Sequence, residues 1–106
     1  MARALINVPA KAKRGAIIAI KTLISHEMET WFRHSTTGVP IPRDIITSFV
    51  ATYNKEEIFR AVLSPAIAAN PFITFTTVAT ESGTIAFEWT GDNGFSATES
   101  ATITVE

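Results

Sequence analysis

Both histidines of the chain fall in one short stretch with two glutamates, as His26, Glu27, Glu29 and His34. Imidazole and carboxylate groups ligate zinc or copper, and a His-Glu pair also opens the helical motif of zinc proteases. That motif needs a second histidine one helical turn on, where Thr30 stands. A small metal-assisted or acid–base enzyme using His26, Glu29 and His34 is therefore one reading, and a loop that splays these residues apart is the other. No Gly-x-Ser-x-Gly elbow supports a nucleophile, and no phosphate loop or dinucleotide fingerprint is present. The chain has no cysteine, which removes disulfides, thiol catalysis and cysteine-rich zinc sites together. Lys11, Lys13 and Arg14 cluster without interleaved aromatics, so they do not make a nucleic-acid face.

What remains is surface for interaction. Met28, Trp31, Phe32, Ile67 and Phe72 lie in or beside stretches without strand alternation. Large apolar groups in such places either plug the ends of a core or meet a partner. The physical reading of the residues thus ends at a non-enzymatic module that binds another protein, or a structural one that self-associates through a strand edge.

The elements that position these groups are strands. Thr84 to Val105 reads as a β-hairpin: Ile85, Phe87 and Trp89 alternate with polar residues, and Ala97, Ala101, Ile103 and Val105 do so in the return arm. Asp92-Asn93-Gly94 supplies the positive-φ turn between them. Glu99 interrupts the apolar row, which predicts a bulge or an ion pair there. Upstream, Arg3 to Val8 is a short β-prone run and Lys11 to Gly15 a turn. Ala16 to Ile24 is a strand with Ile18, Ile20 and Ile24 on one face. Ile17, Ala19, Lys21 and Leu23 on its other face predict a central strand that is largely covered. Ser25 to Arg43 has no clean period. Asp44 to Tyr53 and Glu56 to Leu63 form a hairpin across Asn54-Lys55, Ser64 to Pro71 is a Pro-bounded connection, and Phe72 to Thr80 is a further strand with Ile73 and Phe75 on one face. About seven short strands with no long helix predict an all-β, immunoglobulin-like antiparallel β-sandwich, with Trp89 as its buried aromatic.

Composition agrees with a single domain over residues 1–106: the chain has 106 residues, 46% of them hydrophobic, enough for a core without staples. A formal net charge of -1 gives no general attraction for nucleic acid or an anionic membrane. No apolar run approaches the length of a membrane span, and no signal peptide opens the chain, so the residues alone suggest a soluble cytoplasmic protein.

Several stretches taken in order resemble a known family. They are Val8-Pro-Ala-Lys-Ala-Lys-Arg-Gly15, Ile20-Lys-Thr-Leu-Ile-Ser-His26, Ile41-Pro-Arg-Asp-Ile-Ile46, Pro65-Ala-Ile-Ala-Ala-Asn-Pro-Phe72, Phe75-Thr-Thr-Val-Ala-Thr-Glu-Ser-Gly83 and Trp89-Thr-Gly-Asp-Asn-Gly-Phe-Ser-Ala-Thr98. The chain resembles the SoxZ family of the thiosulfate-oxidising Sox system, across essentially its whole length. The resemblance implies a non-catalytic subunit without cofactor or metal. It would pair with SoxY, which carries sulfur intermediates on a cysteine arm, and would meet other Sox enzymes through that carrier. It also implies a periplasmic location reached by export with SoxY, against the cytoplasmic reading above. His26, Met28, Arg33, Arg43, Asn70 and Phe72 are the expected contributors to the partner interface, and the isolated subunit is expected to self-associate. The family usually has Pro where Glu27 stands and Gly where Trp31 stands, so the loop around His26 departs from its pattern.

Overall fold

The structure is a computed structural model that describes residues 3–25, 44–63 and 71–106. Its strands are β1 (Ala4–Asn7), β2 (Lys11–Ala12), β3 (Ile17–Ile24), β4 (Ile46–Tyr53), β5 (Glu56–Val62), β6 (Phe72–Val78), β7 (Gly83–Gly91) and β8 (Ser96–Val105). They form a three-stranded sheet, β1-β3-β6, and a five-stranded sheet, β2-β8-β7-β4-β5. The two pack face to face as the expected sandwich. Period-2 alternation explains the packing: each strand turns every second side chain inward. The inward row of β3 is Ile18, Ile20, Thr22 and Ile24, and that of β7 is Ile85, Phe87 and Trp89, all buried. Thr22 is the polar member of its row, and its hydroxyl donates to the Ile73 carbonyl at 3.0 Å, so its burial leaves no orphan group.

Aromatic rings join the sheets. Phe75 of β6 stacks on Phe59 of β5 with centroids 4.5 Å apart. It also meets Phe49 of β4 edge-on at 6.3 Å. Phe49 in turn packs on Trp89 at 5.2 Å and lies over Phe87 at 6.1 Å. Trp89 is fully buried, as its place in the alternating row predicts. Its indole Nε1 finds no acceptor among the described residues.

The turns follow their chemistry. Asn54 and Lys55 have φ of 48° and 70°, the paired positive values of a type I′ hairpin. Asn54 does more than turn: its Oδ1 accepts from the Thr84 amide at 2.9 Å, and its Nδ2 donates to Glu81 Oε1 at 3.1 Å. Gly83 faces this side chain so closely that a Cβ would lie 1.7 Å from Asn54 Oδ1. A short 3-10 turn, Asp92–Gly94, joins β7 to β8, with Asn93 in the left-handed region at φ 59°.

Three sequence expectations change. Lys11 and Ala12 are not a turn but a strand, and they pair in parallel with Thr104 and Val105 of β8. The sandwich is therefore antiparallel except at that edge, and its eight described strands, one of them only two residues long, agree with the expected seven or so. A two-residue strand lies below what periodicity can detect. The outer face of β3 is open: Ile17 is 76% exposed, because β1 and β6 flank β3 in the plane and no layer among the described residues covers it. Glu99 produces no bulge. It sits directly opposite Phe87 in an unbroken ladder, exposed, and accepts from the Ser100 amide at 3.2 Å. Only Thr104 and Val105 of β8 pair with β2, so Glu99 lies on the free part of that edge and reaches water.

Truncating Trp89 to alanine empties the centre of the aromatic cluster and should lower unfolding free energy by about 3–5 kcal/mol. Chemical denaturation monitored by far-UV circular dichroism reads this. A midpoint unchanged from the parent would contradict the packing.

Candidate interaction surface

The two outer faces of the sandwich differ in chemistry. On the five-stranded sheet, Thr52, Ala86 and Ser100 stand in one cross-strand row and Val50, Glu88 and Thr98 in the next. Small and hydroxyl-bearing side chains leave a shallow recess of about 600 Å³ there. Its only titratable groups are Glu88 and Glu99, with no imidazole, amine or activated nucleophile beside them. A second recess of about 340 Å³ lies between β5 and β6, lined by Tyr53, Glu56, Glu57 and Glu81 among others. The Tyr53 hydroxyl there donates to the Glu81 carbonyl and accepts from the Glu81 amide, so the phenol is engaged in holding a turn.

The outer face of the three-stranded sheet is apolar at both ends. Register places Leu5, Leu23 and Phe72 side by side on β1, β3 and β6. It places Ile17 beside Val78 at the opposite end. Between them lie Asn7, Lys21 and Thr74 in one row and Ala19 and Thr76 in the next. Of the exposed large hydrophobic residues, Leu5, Ile17, Phe72 and Val78 are on this face; Val62 of β5 is elsewhere. Phe72 is 63% exposed. A recess of about 250 Å³ between Leu5, Lys21, Leu23 and Phe72 gives the first row a concave seat. Exposed aromatic and aliphatic groups set around a recess with one amine at its rim suit a protein partner rather than a reaction.

Of the residues expected at an interface, Phe72 is thus on an exposed apolar row. His26, Met28, Arg33, Arg43 and Asn70 lie outside the described residues, as do all members of the alternative His26, Glu29 and His34 set. Among the described residues no group of three or more His, Cys, Asp and Glu side chains could hold a metal ion. No described helix is long and apolar enough to cross a membrane. Leu5 and Leu23 were not expected in the site. Their odd-numbered positions mark the outward face of each strand, but only the register shows that they meet Phe72.

The family model described as "Sulphur oxidation protein SoxZ" matches residues 6–102. No curated protein sequence matches the chain. Among solved structures, a superoxide reductase (neelaredoxin) from Ignicoccus hospitalis has a TM-score of 0.74 at 18% identity, over 97% of this chain and 80% of its own. A putative superoxide reductase from Thermotoga maritima has a TM-score of 0.70 at 17% identity, over 97% and 85%. The sulfur carrier protein SoxY from Chlorobium limicola f thiosulfatophilum has a TM-score of 0.67 at 10% identity, over 97% and 78%. At these identities the structural likeness is one of fold.

Phe72→Ala should leave the stability of the isolated domain within about 0.5 kcal/mol of the parent, since an exposed side chain loses little on truncation. Comparison of its denaturant midpoint with that of Trp89→Ala checks this. A loss as large as that of Trp89→Ala would place Phe72 in the core and remove it from the surface.

Proposed function

Because the chain belongs to the SoxZ family of sulphur oxidation proteins, we propose that it is the non-catalytic subunit of a SoxYZ carrier complex in thiosulfate oxidation. The family match over residues 6–102 carries this reading. The absence of cysteine supports the division of labour: no persulfide or thiosulfonate can form on this chain, so the covalent intermediates reside on SoxY. This subunit holds SoxY and shapes the surface that the cysteine arm and the other Sox enzymes approach. The complex works in the periplasm, and this subunit travels there with SoxY.

The apolar row Leu5, Leu23 and Phe72 is the seat we assign to SoxY. An aromatic residue among aliphatic neighbours, with Lys21 at the edge, gives the apolar centre and polar rim of a protein interface. The superoxide reductases share the fold at 18% identity or less in the cases cited, which carries no argument for their chemistry.

The test is a reconstituted thiosulfate-dependent electron transfer with SoxY affinity measured for each variant. Phe72→Ala should weaken SoxY binding by more than about 2 kcal/mol, roughly thirtyfold, as hot-spot aromatics do. His26→Ala should retain turnover, because no proton transfer or metal ligation rests on that imidazole. Complete loss of activity in His26→Ala with SoxY binding intact would overturn the purely structural role and favour the His26, Glu29 and His34 site.

A further inference from the structure

The sheet edges of this sandwich are not equally protected. A free edge exposes a row of amides and carbonyls that can template another strand, and proteins guard it with charge, proline, bulges or shortness. Strand β1 is four residues long and follows Arg3. Strand β5 carries Glu56, Glu57 and Arg60, and the ladder behind it shifts register at Ala51/Thr52. Arg60 donates to Glu57 Oε1 through Nε at 3.1 Å and Nη2 at 2.8 Å, which fixes a charged pair on that edge. The free part of β8 holds Glu99. Strand β6 has none of these devices. It reads Phe72-Ile-Thr-Phe-Thr-Thr-Val78, without charge, proline or glycine, and pairs with β3 without a register shift. No described strand lies on its other side.

Its backbone orientation follows from the bonds at its ends. The Ala79 amide donates to the Ala16 carbonyl at 2.8 Å, and the Pro71 carbonyl accepts from Ile24 at 3.2 Å. Odd-numbered residues therefore bond toward β3, and by alternation the amides and carbonyls of Phe72, Thr74, Thr76 and Val78 point to the open edge.

We propose that this edge pairs with β6 of a second copy of the chain, antiparallel and centred on Phe75. In that register Phe72 stands opposite Val78 of the other copy, and Thr74 opposite Thr76. Every outward-directed amide and carbonyl then faces a complementary one, because even positions meet even positions. The side chains match as well. Leu5, Leu23 and Phe72 form one row within a copy, and Val78 and Ile17 form another. The pairing joins the first row of each copy to the second row of its neighbour, so that the sequence Leu5, Leu23, Phe72, Val78, Ile17 runs unbroken across the junction. A single two-fold axis satisfies both junctions at once, as an isologous contact requires. Lys21 lies in a different row, and since β6 carries no charge no like charges oppose one another across the β6–β6 ladder. A foreign strand would need its own apolar groups at both ends and hydroxyls between; this chain supplies that pattern against itself. The contact lies in the plane of the sheet and leaves its outer face free for SoxY, so it does not depend on the SoxY reading.

Sedimentation velocity of the purified chain alone over a wide concentration range tests the proposal. The parent should show a monomer–dimer equilibrium. Replacing both Thr74→Lys and Thr76→Lys sets like charges opposite each other and should weaken dimerisation by on the order of tenfold or more. Thr74→Glu with Thr76→Lys sets opposite charges across the same two junctions and should restore it. Circular dichroism confirms that each variant is folded, and a misfolded one is replaced by Thr76→Pro, whose missing amide faces the open edge. A parent that stays monomeric throughout, or a double-lysine variant that dimerises as the parent does, would overturn the proposal. So would a chain that is monomeric alone but loses SoxY binding in both charged variants, which would assign the edge to SoxY.

Discussion

The contact of Phe75 with Phe59 and Phe49 is the interaction on which the sandwich depends. Strand β6 belongs to the three-stranded sheet, whereas Phe59 and Phe49 belong to β5 and β4 of the other. Each sheet alone would expose one apolar face to water. Stacking these rings brings the faces together and lets Ile18, Ile20 and Ile24 meet Ile85, Phe87 and Trp89 in one core. The hydrophobic effect supplies the drive, and the offset and edge-on ring geometries add specificity to it.

Given that core, local polar clamps set how the hairpins sit relative to each other. Asn54 at the β4–β5 turn bonds to Thr84, Glu81 and Ser82 at the start of β7. At the other end, the Asp92 amide donates to the Ile45 carbonyl at 2.9 Å, and the Ile45 amide donates to Asp92 Oδ2 at 3.1 Å. Gly91 allows this approach, since a Cβ there would lie 2.4 Å from the Ile45 carbonyl oxygen. The central pair β4–β7 is thus tied at both ends. Its register is held, and with it the side to which every residue of the five-stranded sheet points.

Function follows from how unevenly this scaffold is finished. The five-stranded sheet shows water a face of threonine, serine and alanine. The three-stranded sheet shows it Leu5, Leu23 and Phe72 at one end and Ile17 and Val78 at the other, with Asn7, Lys21, Thr74 and Thr76 between. The chain is a cysteine-free member of a sulphur oxidation family, and its two outer faces differ in chemistry.

The amino-acid pattern by itself determined a good deal. Alternation placed Ile85, Phe87 and Trp89 inward, Asn54-Lys55 and Asp92-Asn93-Gly94 marked the turns, and the all-β class followed. Those are local properties, set by side-chain direction and by which residues tolerate positive φ. The pattern could not assign the outer row of β3. Ile17, Ala19 and Leu23, with Lys21 among them, look like a largely covered face, because apolar residues read the same whether the cover comes from this chain or from another. Nor could it find the parallel pairing of Lys11 and Ala12 with the end of β8, a contact between distant segments with no local signature. Phe72 was visible as an apolar residue at a strand start, but its neighbours Leu5 and Leu23 come from two other strands, each far away in the chain. Only the register of β1-β3-β6 brings the three together, because cross-strand neighbours are chosen by the sheet as a whole and not by any one of its strands.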